Sequence, residues 1–473
     1  MWRTWRHAKL LLLAAVFHAP AFAQLPAPVA RALEAAGIPD SDVALVVQPL
    51  DADQPLIAHG AERALNPAST IKLLTTLVAL DSLGPAHRFK TRVYTRGELK
   101  GDTLHGNLIL KGGGDPSLTL ERFWLLLREV RARGIRHIQG DVLIDQSYYD
   151  LPPADPAAFD QAPLRPYNAP PAALLVDFNT LSLRITPDNG GLRLSLDPPG
   201  LPVRQTLRLT RGACNHWSAG LDYELAQGAL HVSGQYPASC GAQTLRLSLL
   251  TPDRGVAAAF IALWNELGGS LSGEVLAAHL PEDARLLLEF DSLPLSRIVA
   301  DINEHSNNVM ARMLYLNLGA LRYGAPATPA KGEAAIRAWL KAQGLEMPEL
   351  KLENGAGLSR VERISAASLT ALLRFAARRP LIHDLVASLP ALGLEGTLKR
   401  RLADSPMAGR AWLKTGSLNG VRNLAGYIMD ASGRRHILVF LINHPQAAAA
   451  TAAQDAAIDW VYRLPETSAI KAR

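Results

Sequence analysis

The sequence predicts an α+β fold in which an antiparallel sheet flanked by helices is assembled from both ends of the chain and split by a large β-rich insertion. Three observations carry this. A helix and two strands open the chain, and three strands and a helix close it, so the two ends can complete one sheet. Between about residues 91 and 287 short alternating strands with Gly- and Pro-rich turns take over. The 473 residues also exceed what one hydrophobic core holds, which implies two or three domains. The expected division is a discontinuous domain over 24–90 and 288–473, with 91–287 as an insertion of one or two subdomains.

The chain opens with Arg3, Arg6 and Lys9 and no acid, then an apolar run from Leu10 to Phe17, then Ala21-Phe22-Ala23 as a small-x-small cleavage site before Gln24. These are the three parts of a secretory signal peptide over residues 1–23, and its apolar run is too short to span a bilayer. No cysteine follows the cleavage site to take a lipid, and no later apolar run reaches about 18 residues, so a soluble exported protein is expected. Losing three cations takes the formal net charge from +6 to +3. That mild basicity suits loose attraction to an anionic envelope, and the lack of a Lys/Arg tract argues against nucleic acid.

In chain order, Val29 to Ala36 reads as a short helix, and Val43 to Val47 and Leu56 to Ala58 as strands around a polar turn. Pro67 then opens an apolar helix, because its missing N–H is one that a helix start leaves unsatisfied. Phe89 to Tyr94 and Leu104 to Leu110 alternate as strands, broken by Gly112-Gly113-Gly114-Asp115-Pro116. No Gly-Lys-Ser/Thr follows this triple glycine, so it reads as a turn rather than a phosphate loop, with Asp115 an ordinary turn residue. Leu118 to Arg133 is an amphipathic helix and Asp141 to Ile144 a strand, and the Pro- and Ala-rich stretch from Tyr149 to Asn179 is an irregular crossing between subdomains. Strands recur at Leu181 to Ile185, Leu192 to Leu196, Thr206 to Leu209, Leu230 to Ser233 and Leu245 to Leu249, before a helix from Val256 to Leu267. Leu295 to Asn303 and Val309 to Leu316 are helices around a polar break, followed by helices at Ala334 to Gln343, Ser368 to Ala377 and Ala447 to Tyr462. Strands at Trp412 to Thr415, Leu424 to Met429 and His436 to Ile442 complete the set.

Cys214 and Cys240 are the two cysteines of a chain that enters an oxidising compartment, so one disulfide is the natural pairing, with two buried free thiols as the alternative. A metal site is not expected there, because His216 is the sole neighbouring ligand type and the spacing does not match zinc.

Chemistry is concentrated at Ser69 and Lys72, which lie one turn apart on the helix after Pro67. A serine hydroxyl attacks only after losing its proton, and a lysine accepts that proton only when neutral. Reaching neutrality at pH 7 from a reference value near 10.4 needs a shift of about 3 units, or roughly 4 kcal/mol. Burial among Ile71, Leu73 and Leu74, or a second cation nearby, works in that direction. By itself Ser-x-x-Lys arises by chance about once or twice in a chain this long. Two further motifs follow: Ser306-Asn307-Asn308 in a helix-breaking loop and Lys414-Thr415-Gly416 on a strand. Lys-Thr-Gly is expected by chance in roughly one such chain in ten, and all three motifs in this order make coincidence a poor account.

On these motifs the chain resembles the serine acyl-transferases that bind penicillin. More narrowly it is similar to the low-molecular-mass class C penicillin-binding proteins, the D-alanyl-D-alanine carboxypeptidase/endopeptidases of the bacterial periplasm. The wide gap from Ser69 to Ser306, together with Gly355-Ala356-Gly357-Leu358-Ser359-Arg360 and Gly396-Thr397-Leu398, matches that family. Glu353-Asn354-Gly355-Ala356 departs from the expected Asp-Gly-Ser, so no role is carried over to that turn. The resemblance implies a β-lactamase/transpeptidase-like catalytic domain, a periplasmic location, peptidoglycan stem peptides as substrate, β-lactams as covalent inhibitors, and no cofactor or metal; a homodimer is compatible with it. It implies Ser69 as nucleophile and Lys72 as its base, with Ser306 relaying a proton and Asn308 holding the substrate amide and Lys72. Lys414 adds positive potential, Thr415 contacts a terminal carboxylate beside Gly416, and the N–H groups of Ser69 and Ser417 form the oxyanion hole. Strand alternation sends Lys414 and Thr415 to opposite faces, so both serve one site only if the strand borders the cleft edge-on.

Local structure offers plainer readings: Ser306 and Asn308 as helix caps, Lys414 as an exposed strand lysine, and His305, His436 and His444 as structural residues. Two other functions compete with the DD-peptidase. A β-lactamase or esterase would turn penicillin over rather than hold it, and a non-catalytic peptidoglycan-binding scaffold would be indifferent to loss of Ser69.

Overall fold

The computed structural model describes residues 24–188 and 190–464. The signal peptide inferred over residues 1–23 therefore lies outside the described residues. Strand Val43–Pro49 is buried along its whole length, which requires cover on both faces. It pairs antiparallel with Arg435–Asn443 on one side, in register Val46 to Val439, and with Ile57–His59 on the other. Val421–Met429 and then Ala411–Leu418 extend the ladder to five strands, so strands from both ends of the chain form one sheet with Ala411–Leu418 at its edge.

The period-2 rule sorts the side chains of this sheet between two cores. Ala44, Val46, Ile437, Val439 and Leu441 face the core built with helices Lys72–Leu83, Leu295–Glu304, Asn308–Tyr323, Pro329–Ala342 and Ala366–Ala377. Leu45, Val47, Leu438, Phe440 and Ile442 face the opposite core, covered by helices Ala27–Ala35 and Thr451–Tyr462. Every residue from Lys72 to Leu80 is buried. A helix apolar on all sides is a central one, and Lys72 enters the interior with it.

The intervening region holds three further sheets. A seven-stranded sheet, ordered Ser270–Leu271, His137–Gln139, Thr103–Lys111, Lys90–Lys100, Arg285–Asp291, with Val142–Asp145 and Val275–Ala277 alongside, carries helices Leu120–Ala132 and Pro252–Glu266. Two three-stranded sheets share a separate small core: Leu221–Ala226, Ala229–Pro237 and Val203–Thr210, and Gln243–Leu247, Leu181–Asp188 and Gly191–Asp197. Cys214 and Cys240 form a disulfide there, with Cα atoms 4.9 Å apart. The irregular stretch from Tyr149 to Asn179 contains only short 3₁₀ turns, Pro166–Asn168 and Asp177–Asn179. It links two cores through adjacent side chains, Leu174 entering one and Leu175 the other.

Four local differences from the sequence reading have physical causes. The sequence reading omits strands Leu221–Ala226 and Arg285–Asp291: the second has three consecutive leucines rather than an alternation, whereas the first does alternate at Leu221, Tyr223 and Leu225 but is short and mostly exposed. Helix Ile382–Ala387, with a single fully buried residue, is too short to show a period. The helix expected from Pro67 begins as a 3₁₀ turn, Ala68–Ile71, and becomes α-helical only at Lys72. Asp115 makes an Asx turn with Ser117 as a turn residue should, but it is buried rather than exposed, and burial raises its carboxyl pKa.

Candidate active site

The 3₁₀ turn has a direct effect on Ser69. With three residues per turn, positions i and i+3 eclipse, which puts Ser69 Oγ 2.8 Å from Lys72 Nζ. The turn is held from several elements through Asn66: its N–H donates to Asn443 Oδ1 at 2.7 Å, its Oδ1 accepts from the Ala68 N–H at 2.8 Å, and its carbonyl accepts from Asn423 Nδ2 at 2.9 Å. Ala68 lies at φ 44°, in the left-handed region, directly before Ser69. Gly357, at φ +80°, packs so closely that a Cβ there would lie 1.9 Å from the Ala68 carbonyl oxygen. The strained turn is thus clamped rather than free to relax.

Lys72 is fully buried and has three neighbours. Its Nζ lies 2.7 Å from Asn308 Oδ1 and 2.8 Å from Ser69 Oγ, and it also donates to the Ala356 carbonyl. Burial pulls the amine well below the usual lysine range; the positive charge of Lys414 adds to this and the carboxylate of Glu362 opposes it. A neutral amine has two N–H bonds and one lone pair. Donating to Asn308 and Ala356 leaves the lone pair directed at the Ser69 hydroxyl, the arrangement that general-base activation of a serine needs.

Ser306 sits between two helices at φ 57°, held off helical geometry. Asn307, not Ser306 or Asn308, caps helix Asn308–Tyr323, accepting from the Met310 N–H at 3.0 Å. The capping reading of Ser306 and Asn308 is thereby corrected, and both side chains are left for other partners. Asn308 Oδ1 faces Lys72, and its Nδ2 points to the Tyr167 carbonyl at 3.5 Å. Ser306 Oγ accepts from Lys414 Nζ at 2.9 Å.

Lys414 is completely buried, which overturns its reading as an exposed strand lysine, and burial lowers its pKa to about 7. Its strand is the sheet edge and borders the Ala68–Ile71 turn, as the alternation problem requires. Gly416 makes that approach feasible: a Cβ there would lie 2.7 Å from the Pro67 carbonyl oxygen. Thr415, on the other side of the strand, is half-buried and its Oγ1 lies 2.9 Å from Thr397 Oγ1. Ser417 is exposed, with Arg422 Nη1 donating to its Oγ at 3.3 Å.

The structure therefore gathers Ser69, Lys72 and Asn308 into one hydrogen-bonded set and Ser306 and Lys414 into a second, with the charge of Lys414 acting on Lys72 and with Thr415, Gly416 and Ser417 on the same strand as Lys414. The Cys214–Cys240 disulfide lies outside both, with Cys240 in the small core of the three-stranded sheets and Cys214 exposed. His436 binds the Asp430 carboxylate at 2.9 Å, at the opposite end of its strand from Asn443 and the Ser69 turn. Sequence reasoning gave no role to Asn66 or Glu362, nor to Ala356 and Thr397, which it placed only within family-like stretches. Asn66 had a usable signal in its Asn-Pro step, a turn initiator. Glu362 had none, since it stands in an Arg-Val-Glu-Arg run that looks solvated and yet is fully buried. A cavity of about 760 Å³, lined in part by Pro152, Pro163, Arg312, Tyr315 and Asn354, lies beside this cluster, and neither Ser69 nor Lys414 lines it.

Comparison with known proteins agrees with this geometry. Residues 25–464 match the family described as D-Ala-D-Ala carboxypeptidase 3 (S13). The chain is 30% identical over 425 residues to a D-alanyl-D-alanine carboxypeptidase of an Actinomadura species, covering 84% of this chain and 76% of that one. It is 26% identical over 413 residues to the D-alanyl-D-alanine carboxypeptidase DacB of Haemophilus influenzae, covering 85% of each. The crystal structure of penicillin binding protein 4 from Haemophilus influenzae superposes with a TM-score of 0.76 at 24% identity, over 92% of this chain and 99% of that one, which establishes a shared α+β fold. Its family model and its relatives agree, and the chain belongs to the D-Ala-D-Ala carboxypeptidase 3 (S13) family, as a serine-type D-Ala-D-Ala carboxypeptidase.

Proposed function

We propose that the protein is a serine DD-peptidase acting on peptidoglycan stem peptides through an acyl-enzyme on Ser69, as a D-Ala-D-Ala carboxypeptidase, an endopeptidase or both. The observation that carries this is the neutral-favouring burial of Lys72 within 2.8 Å of the Ser69 hydroxyl. Lys72 takes the Ser69 proton as Oγ attacks the carbonyl between the two D-alanines. Ser306, bonded to Lys414, passes a proton to the departing amine, and water then completes hydrolysis of the ester. Lys414 and Thr415 receive the terminal carboxylate, and the N–H groups of Ser69 and Ser417 stabilise the oxyanion, a feature whose loss typically lowers rate by about 10² to 10³. A β-lactam presents a strained amide with a carboxylate in the same relation, so it acylates the same serine. Residues 24–90 and 288–473 form the catalytic unit on this reading, with 91–287 as the insertion and export to the periplasm by the N-terminal segment.

The test is intact-mass spectrometry of the mature protein with benzylpenicillin, alongside Ser69→Ala. A stable adduct on the wild type and none on the variant is the expected outcome. Rapid turnover without an adduct favours the β-lactamase alternative, and neither adduct nor turnover favours the scaffold.

A further inference from the structure

Glu362 takes no part in the scheme above, yet it is fully buried next to it. Its Oε1 accepts three successive backbone N–H groups, from Glu353 at 3.1 Å and from Asn354 and Gly355 at 3.0 Å each. Three donors converging on one carboxylate oxygen form a charge-assisted cradle of the kind that backbone turns offer to anions. Glu362 is itself held in place: Ser359 Oγ accepts from the N–H groups of Val361 and Glu362, both at 3.0 Å. The turn so gathered ends in two carbonyls aimed at helix Lys72–Leu83. Gly355 accepts from Thr75 Oγ1 at 2.7 Å, and Ala356 accepts from Lys72 Nζ. A further tie, from the Ala356 N–H to Asn354 Oδ1 at 3.0 Å, closes the turn on itself.

We propose that Glu362 is a positioning residue for acylation: by gathering the 353–355 amides it holds the Ala356 carbonyl against Lys72, so that one N–H of the amine is occupied and its lone pair is left for Ser69. The inference rests on the reading of Lys72 as the base. Without Glu362 the three buried donors lose their acceptor, the turn shifts, and the amine is free to rotate away from Ser69. The charges facing Lys72 are Lys414, from the edge strand, which lowers its pKa, and Glu362, which raises it. Burial raises the Glu362 pKa above the usual carboxylate range, the three amides oppose this, and the charge of Glu353 adds to it. Tyr315, from helix Asn308–Tyr323, also lies within the field of Glu362. Removing the carboxylate charge therefore has a signed consequence: Lys72 gives up its proton at lower pH.

The experiment is the second-order rate of benzylpenicillin acylation between about pH 4.5 and 9 for the wild type, Glu362→Gln, Glu362→Asp and Glu362→Ala, with thermal melting of each. The expected result is an acidic limb moved to lower pH in Glu362→Gln, with a plateau rate lowered. Glu362→Asp keeps the charge and so the wild-type limb, but loses about tenfold or more in rate because its carboxylate is one methylene short of the turn. Glu362→Ala loses about 10²-fold. A purely structural role would lower melting temperature and the fraction of protein that reacts while leaving the limb unmoved. An unshifted limb in folded Glu362→Gln overturns the inference. If Glu362→Gln does not fold, a wild-type rate in Glu362→Asp overturns it instead. Adduct formation on wild-type Ser69 in either case leaves the function itself standing, whereas no adduct on the wild type removes both.

Discussion

At the scale of single residues, the site is organised by two lysines that share a buried volume and divide the work by environment. Burial lowers the pKa of both amines, and at Lys72 the repulsion of Lys414 adds to it while Glu362 opposes it. Burial alone brings Lys414 to about 7. Asn308→Asp replaces the amide oxygen 2.7 Å from Lys72 with a charged one, which raises the amine's pKa. Acylation by benzylpenicillin at pH 7 is expected to fall about 10²-fold, with partial recovery at higher pH, as stopped-flow or mass-spectrometric rates will show. Lys414→Met tests the opposite consequence. A lysine whose folded pKa lies near 7 against a usual 10.5 destabilises the fold fully below pH 7, and the penalty fades as pH rises toward 10.5. The variant should therefore lose acylation yet melt at a higher temperature than the wild type, with the gain larger at pH 6 than at pH 9. A lower melting temperature at pH 6 would show that the amine is not held at a cost.

At the scale of elements, function depends on three backbone segments meeting at Ser69: the 3₁₀ turn Ala68–Ile71, the sheet edge Ala411–Leu418 and the 353–357 turn. Each close approach uses a missing side chain. Gly357→Ala introduces a Cβ against the Ala68 carbonyl at a backbone angle that alanine resists, so either the nucleophile turn or the 353–357 turn must move. A loss of about 1–3 kcal/mol in stability and of about 10²-fold in acylation is expected, measurable by denaturant unfolding and adduct formation on one preparation. The elements themselves were mostly visible in the sequence, since buried strands and long helices keep their period whatever surrounds them. The 3₁₀ start of the nucleophile helix was not. Its geometry comes from Asn66 bonding to Asn443 and Asn423, residues remote in sequence.

At the scale of the whole molecule, the sheet that supports the site is closed by strands from the two ends of the chain, while the intervening region keeps cores of its own. That separation predicts a local effect for the disulfide. Reducing Cys214–Cys240, or replacing both with Ser, removes roughly 3 kcal/mol from the two three-stranded sheets on the chain-entropy account. Hydrogen exchange should rise in Val203–Thr210 and Ala229–Pro237 while the acylation rate stays unchanged; a fall in that rate would mean the small core is coupled to the site. What the sequence determined by itself were the motifs and their order, because Ser-x-x-Lys, Ser-x-Asn and Lys-Thr-Gly are local patterns whose chemistry follows from residue type and spacing. The pairing of the chain's ends into one sheet was legible too, from the mirrored order of a helix and two strands at the start and three strands and a helix at the end. What only tertiary structure decided was which lysines are buried and which carboxylate and carbonyl meet Lys72. Burial of Lys414 and Glu362 depends on segments hundreds of residues apart closing over them, and no local pattern encodes that closure.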